Sequence, residues 1–158
     1  MQVNFSGQLF ALLFLLTPMA HADSFQRVGE KFHIKPLLLK AIARKESHLY
    51  NHAVNHANSD RTEDVCMMGI NSSHFRRLRQ FNITRNRLLT EPDVCVAAGA
   101  WILNGFFERY GRSWDSVGMY NTGPALKLKQ VRANYAASVR QIYRELAREA
   151  GVPPDPFG

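Results

Sequence analysis

The most informative stretch of this chain reads LLLKAIARKES and covers residues 37–47. Three apolar residues precede Glu46 by seven, four and three positions, and these are Leu39, Ile42 and Ala43. Positions at this spacing share one face of a helix with 3.6 residues per turn. We therefore expect a helix that buries this face, and we expect the carboxylate of Glu46 to point the same way.

A carboxylate on an apolar helix face has unusual chemistry. Burial removes water from Glu46, and the negative end of the helix dipole lies nearby if the helix ends soon after Ser47. Both effects raise the pKa, which suits a general acid. Spacing alone favours a simpler interpretation, a frayed last helical turn with Glu46 in water.

Length and composition predict one globular domain. The chain has 158 residues, of which 46% are hydrophobic and 21% are charged. These proportions are ordinary for a protein with a single core. We find no internal repeat and no low-complexity tract.

The N-terminus resembles an export signal. Residues 9–16 form a short apolar run, and Ala20-His21-Ala22 follows as an A-x-A cleavage pattern. The run is too short to span a membrane, which takes roughly 20 apolar residues. We interpret residues 1–22 as a signal peptide, although they contain no Lys or Arg, and expect the mature chain to begin at Asp23.

The formal net charge of +7 favours an anionic partner or surface, although solubility explains it as well. Nucleic acid is not the partner that we expect. The basic residues are scattered through helical segments rather than interleaved with aromatic residues, and export argues against it. We expect the protein to act as a monomer.

The chain contains two cysteines, Cys66 and Cys95, which lie 29 positions apart. In an oxidising compartment an even pair predicts a disulfide. The prediction therefore depends on export.

The spacing of apolar residues predicts a mainly helical domain over residues 23–150. We expect helices over residues 23–32, 36–47, 72–81, 93–110 and 131–150, and a short one capped by Ser113. The first helix would begin at an N-cap formed by Asp23 or Ser24. In the third, Phe75, Leu78 and Phe81 would face inward.

The remaining segments lack helical spacing. Residues 48–64 are rich in asparagine and predict an irregular polar loop, with room for a small β-hairpin. We interpret residues 82–90 as a turn-rich connector, residues 120–124 as a turn and residues 151–158 as a flexible tail.

The polar loop contains three histidines, His48, His52 and His56, spaced by four. On a helix they would align as metal ligands. The asparagine-rich composition argues against a helix, and no cysteine or HExxH pattern accompanies them. Solvated loop histidines are the better interpretation, and we expect no metal.

Several motifs resemble, in order, those of the soluble-lytic-transglycosylase domain. They are AIARKES at residues 41–47, MMGINS at residues 67–72 and MYNTG at residues 119–123. Tyr135 followed by Val139 resembles the family's fourth motif. The similarity covers nearly all of the chain after residue 22, and ordered motifs are more specific than any single one.

This resemblance implies a lysozyme-like fold and periplasmic cleavage of the glycan strands of peptidoglycan, without a cofactor. In the family the Glu of the Glu-Ser pair is the catalytic acid and base, which corresponds to Glu46 and outweighs the frayed-helix interpretation. The substrate-binding residues that the motifs imply are Ser47, Met68, Asn71, Tyr120, Asn121 and Tyr135. Small size, the export signal and residues 92–95 resemble specialised members that serve secretion systems and pili.

The second motif departs from the family. The usual Gly-Leu-Met-Gln reads CMMG at residues 66–69, so Cys66 replaces the glycine and Gly69 replaces a substrate-facing glutamine. Loss of that amide removes hydrogen bonds to the sugar. This departure favours an alternative function, a catalytically weak glycan-binding adaptor.

Residues 58–65 resemble the segment that carries the second carboxylate of animal-type lysozymes, which most transglycosylases lack. Asp64 takes the place of that carboxylate, and we expect it to stabilise positive charge on the sugar. Attack by the sugar's own 6-hydroxyl would give a 1,6-anhydro ring, whereas attack by water would give hydrolysis. We expect the anhydro product, and the alternative is a lysozyme-like muramidase.

Overall fold

The structure is a computed structural model that describes residues 19–158, with side chains from residue 24 onward. The predicted signal peptide, residues 1–22, lies almost entirely outside the described residues and stays a prediction. The helices of the described part are α1 Met19–Phe32, α2 Pro36–Ser47, α3 Phe75–Leu78, α4 Arg85–Thr90, α5 Pro92–Tyr110, α6 Trp114–Thr122 and α7 Lys129–Ala150. The strands are β1 Val54–Asn55, β2 Asp64–Val65 and β3 Ile70–Asn71. The predicted mainly helical architecture is confirmed.

Helix α2 carries the apolar face that the sequence predicts. It begins at Pro36. Proline suits the first helical position because the N–H that it lacks would have no hydrogen-bond acceptor within the helix there. It ends where His48 adopts a left-handed conformation, with φ of 55°. Leu39 and Ile42 are completely buried, as expected. Glu46 therefore lies in the last turn, at the edge of the core.

The polar loop after α2 contains a three-stranded antiparallel sheet in the order β1-β2-β3. Asp64, in the central strand, pairs with Asn55 on one side and with Asn71 on the other. The sheet thus extends the expected hairpin by one strand. Its register places two asparagines beside the second carboxylate.

Helix α5 packs against α1, α2, α4, α6 and β3. Its middle consists of the small residues Ala98, Gly99 and Ala100, so neighbouring segments approach its backbone closely. A Cβ added to Gly99 would lie 2.5 Å from Cε of Met68 and 3.0 Å from the hydroxyl of Tyr120. A larger residue at position 99 would therefore displace the side chains around the cleft described below.

Cys66 and Cys95 form the predicted disulfide, with their Cα atoms 6.2 Å apart. The bond ties the turn between β2 and β3 to α5. In the chain-entropy model, closing a loop of this length stabilises the fold by roughly 3 to 4 kcal/mol.

Two helical segments in the N-terminal half of the chain differ from the predictions. Helix α1 begins at Met19, so the predicted start at an Asp23 or Ser24 cap is wrong. The predicted helix over residues 72–81 is one α-helical turn between two 3₁₀ turns. Phe81 is 55% exposed rather than inward, and its ring packs edge-on against Trp101 instead of entering the core.

Two predicted irregular segments contain helix. The connector over residues 82–90 holds α4, whose N-cap is Thr84, with a side chain that accepts a hydrogen bond from the N–H of Arg87. Helix α6 begins at the predicted Ser113 cap and continues through Tyr120 and Asn121. The segment predicted as a turn is therefore the last helical turn, followed by Gly123 with φ of 67°.

The C-terminal tail makes contacts with the helical core. The ring of Phe157 lies 5.8 Å from that of Phe107 and 5.5 Å from that of Trp114. The mobility of residues 151–158 stays a prediction. Over residues 19–158, no helix is both long enough and apolar enough to cross a membrane.

Candidate active site

A cleft of about 520 Å³ opens beside the C-terminal end of α2. Its lining includes Glu46 from α2, Asp64 and Asn71 from the sheet, and Tyr120 and Asn121 from α6. The sheet register and the last turn of α6 bring these residues around one cavity. Five of the eight residues that the sequence assigns to catalysis or substrate binding thus meet in the cleft.

Glu46 has the electrostatics of a general acid. Burial is the main cause that raises its pKa from 4.5 to about 7, and the negative charge of Asp64 acts in the same direction. A hydrogen bond from Tyr135 and the charge of Lys45 oppose the rise. A carboxyl group with this pKa can both donate and accept a proton near neutral pH.

Tyr135 holds the carboxyl group of Glu46 in place. Its hydroxyl donates a hydrogen bond to Oε1 of Glu46, and only 7% of Tyr135 is exposed. Burial and the charge of Glu46 raise the pKa of Tyr135 well above 10, so it stays a donor. Tyr135 is not among the residues that line the cleft, so this hydrogen bond positions Glu46, and the expected contact of Tyr135 with substrate stays a prediction.

Gly69 lies directly against the other oxygen of the same carboxyl group. A Cβ added to Gly69 would lie 2.7 Å from Oε2 of Glu46, and its φ of 60° is a left-handed conformation that favours glycine. Glu46 therefore occupies the space that a side chain at residue 69, such as the usual glutamine, would need.

Asp64 is held by side-chain amides. Asn71 donates to Oδ1 at 2.8 Å, Asn58 donates to Oδ2 at 2.9 Å, and Asn55 donates to the same oxygen at 3.3 Å. Both carboxylate oxygens are thus oriented by amide N–H groups, which stabilise negative charge. The asparagine-rich composition of the loop signals this network, but sequence reasoning did not assign Asn55 or Asn58 to the site.

Ser47 and Met68 support the cleft without lining it. The hydroxyl of Ser47 donates to the carbonyl of Met67 at 3.0 Å. Met68 is completely buried, and its carbonyl accepts a hydrogen bond from the hydroxyl of Tyr120 at 2.8 Å. Neither side chain lines the cleft, and the expected contact of Ser47 and Met68 with substrate stays a prediction.

Arg132 is a buried cation that sequence reasoning missed. It is 3% exposed, and its Nη1 donates to the carbonyl of Gly123, the residue that ends α6, at 3.3 Å. Its Nε lies 3.1 Å from Oδ1 of Asp115, at the start of the same helix. Arg132 precedes Tyr135 and Val139 by three and seven positions. This helical spacing, like that of Glu46, places a charged residue on the buried face of its helix.

The histidines of the polar loop do not align. Helix α2 ends at Ser47, so His48, His52 and His56 share no helical face. Within residues 24–158, no three side chains of the metal-binding types come together.

The sequence matches the family described as "Transglycosylase SLT domain" over residues 23–143, more than half of the chain. The chain belongs to this family. It is therefore a peptidoglycan lytic transglycosylase.

Curated relatives in this family match along most of their length. The chain is 37% identical to Protein IpgF of Shigella flexneri over 142 residues, which cover 90% of this chain and 93% of the relative. It is 39% identical to Invasion protein IagB of Salmonella typhimurium over 127 residues, which cover 80% and 79% of the two chains.

A solved structure confirms the fold. An inactive mutant of the lytic transglycosylase Slt from Pseudomonas aeruginosa superposes with a TM-score of 0.70 at 19% identity. The match covers 89% of this chain and 26% of that much longer chain. The similarity therefore concerns about a quarter of the Slt chain.

Proposed function

We propose that this transglycosylase cleaves the β-1,4 bond between N-acetylmuramic acid and N-acetylglucosamine and leaves a 1,6-anhydromuramic end. The observation that carries the proposal is the position of Glu46. Its carboxyl group has a pKa of about 7, lines the cleft and is fixed by Tyr135.

The reaction uses the same carboxyl group twice. Protonated Glu46 gives its proton to the glycosidic oxygen as the bond from that oxygen to C1 of the muramic sugar breaks. Positive charge develops on the sugar ring, and the carboxylate of Asp64 stabilises it. Glu46 then takes the proton of the 6-hydroxyl, whose oxygen bonds to C1. This closure is intramolecular and has a high effective molarity.

The other cleft residues would bind the substrate. Asn71, Tyr120 and Asn121 line the cavity around Glu46 and Asp64. Asn121 is exposed to it, with an amide that can bind sugar hydroxyls and acetamido groups. The reaction needs neither a metal nor a cofactor.

We further propose that the protein is exported to the periplasm and opens the cell wall locally for a secretion system or pilus. The export signal supports the location. The name of the relative IagB, an invasion protein, supports a role alongside a machine that crosses the envelope.

One observation favours a second candidate, a lysozyme-like muramidase. Asp64 is held by three amides, as expected for a carboxylate that takes part in hydrolysis. The adaptor alternative depends on the missing glutamine at position 69. The contact between Gly69 and Glu46 gives this glycine a role in an active site instead.

Digestion of purified sacculi tests these alternatives. The chain without residues 1–22 is incubated with sacculi, and the released muropeptides are identified by mass spectrometry. Anhydro ends support the proposal, whereas reducing ends, one water heavier, identify a muramidase. Binding to sacculi without any released product identifies an adaptor.

A further inference from the structure

We propose that a second cavity beside the cleft binds the peptide attached to the muramic sugar, through the carboxylates of that peptide. This side pocket has a volume of about 300 Å³, and its lining includes Arg77, Trp101, Ile102, Phe106 and Arg109. The inference rests on the proposed function and extends it from the glycan strand to its substituent.

The side pocket lies next to the cleft. His74 and Phe106 line both cavities. A ligand that fills the cleft can therefore extend a branch past these two residues without leaving the protein surface.

The sign of the charge changes between the two cavities. The cleft is lined by the carboxyl groups of Glu46, Asp60 and Asp64 and, among the described residues, by no lysine or arginine. The side pocket is lined by Arg77 and Arg109 together with Glu108, which leaves an excess of one positive charge. An anionic group is repelled from the cleft and attracted to the side pocket.

The two guanidinium groups are available to a ligand. The side pocket also contains Glu108, but its carboxylate accepts a hydrogen bond from Nδ2 of Asn104 at 2.7 Å. Within residues 24–158, neither Arg77 nor Arg109 forms an ion pair. Arginine binds carboxylates with two parallel hydrogen bonds.

The floor of the side pocket suits the short apolar residues of such a peptide. Trp101 and Ile102 provide apolar surface from α5, and the guanidinium carbon of Arg77 lies 4.9 Å from the centre of the Trp101 ring. The ring of Phe81 packs edge-on against the same indole at 5.7 Å. The pocket thus combines a fixed aromatic wall with two cations.

The occupant follows from the chemistry of the substrate. The glycan strand itself is neutral where an amide bond joins the lactyl group of the muramic sugar to the peptide, and the peptide carries free carboxylates. A neutral strand in the acidic cleft and an acidic peptide in the basic side pocket match both charges.

Kinetics on two substrates test the inference. Glycan strands with their native peptides are compared with strands whose peptide carboxylates have been converted to neutral amides, and kcat/KM is measured for both. We expect the wild type to prefer strands with free peptide carboxylates roughly tenfold, the effect of one charge-assisted hydrogen bond. In Arg77→Gln, Arg109→Gln and the double variant this preference falls toward unity.

Arg144→Gln is the matched control, because Arg144 is an exposed arginine on α7, away from both cavities. It should keep the wild-type preference. Arg109 is exposed at the end of α5, so its variant should fold even if loss of the Arg77 stacking contact proves disruptive. Equal cleavage of both strands by the wild type, or an unchanged preference in Arg109→Gln, overturns the inference. Failure to cleave either strand overturns the proposed function, and the inference with it.

Discussion

The carboxyl group of Glu46 occupies the space that a side chain at Gly69 would need. A Cβ at residue 69 would lie 2.7 Å from Oε2 and 3.1 Å from Cδ of Glu46. Tyr135 holds the opposite oxygen, so the group is confined from two sides. Gly69, which replaces the glutamine usual in the family, therefore leaves room for the carboxyl group that we propose as the catalytic acid.

Gly69→Ala should lower cleavage by roughly a hundredfold, the scale of a displacement of about 1 Å at a reacting group. The added methyl group pushes Glu46 out of its position. The measurement is kcat on sacculi or on isolated glycan strands.

Gly151→Ala controls for backbone strain. Gly151 has φ of 65°, close to the 60° of Gly69, but no described atom lies within 4 Å of its Cβ position. An alanine in this left-handed conformation costs about 1 kcal/mol of backbone strain at either site, so the strain is matched and Gly151→Ala should retain activity. Faster cleavage by Gly69→Gln, which restores the residue usual in the family, would contradict the role given to Gly69.

Glu46→Gln should abolish cleavage and leave the fold intact. The amide has nearly the same shape but can neither deliver nor take back a proton, and both proton transfers depend on this residue. We expect a loss of at least roughly 10⁴-fold, measured by release of muropeptides. A folded variant with activity near that of the wild type would show that another residue is the acid.

Much of this site could be predicted because the spacing of apolar residues along a helix shows which face of the helix is buried. The position of Glu46 beside Leu39 and Ile42 predicted α2 and the raised pKa together. Helix α4 was missed because its six residues are too few to show the 3.6-residue periodicity of an amphipathic helix. Tyr120 was assigned to a turn because Gly123 and a proline follow closely, although the helix ends only at Thr122.

Other features of the site depend on contacts between distant segments. The roles of Asn55 and Asn58 follow from the way the sheet folds back on Asp64, and composition does not determine that register. The role of Gly69 depends on where α2 ends relative to β3. A motif comparison shows the glutamine missing at this position but not what fills its place.

Glu46 should also make stability depend on pH. Its pKa is about 7 in the folded chain against an ordinary 4.5, so the folded state retains a proton that the unfolded state releases between these values. The stabilisation by protonated Glu46 is complete below about pH 4.5 and is lost as the pH rises through about 7.

Glu46→Gln removes this dependence. At each pH we take the free energy of unfolding of the variant minus that of the wild type. This difference should rise by up to about 3 kcal/mol from about pH 4 to about pH 8. Urea unfolding at both pH values measures the difference. An identical difference at the two values would mean that burial does not raise the pKa of Glu46.

Arg132→Met should destabilise the fold by about 1 to 3 kcal/mol. Methionine keeps most of the buried bulk but removes the hydrogen bond to Gly123 and the ion pair with Asp115. Thermal or urea unfolding measures the loss. Arg144→Met, an exposed arginine of the same helix, should change stability by less than about 0.5 kcal/mol. Equal effects of the two substitutions would show that Arg132 does not stabilise the end of α6.

Asp64→Asn should slow cleavage on the order of a hundredfold, which is less than the loss in Glu46→Gln. The substitution removes a charge that stabilises the sugar cation but leaves the proton relay in place. Asp60→Asn is the matched control, because Asp60 also lines the cleft but hydrogen-bonds to Thr62 rather than to the three asparagines. It should change kcat only slightly.

The products of Asp64→Asn decide between the two proposed reactions. In a transglycosylase the attacking 6-hydroxyl belongs to the substrate, so the slowed variant should still release 1,6-anhydromuropeptides. An asparagine can replace only one of the two acceptor oxygens that Asn58 and Asn71 contact, so circular dichroism must first show that the sheet is intact. Hydrolytic ends as the main wild-type product, with Asp64→Asn as damaging as Glu46→Gln, would make Asp64 an obligatory partner in hydrolysis and the protein a muramidase.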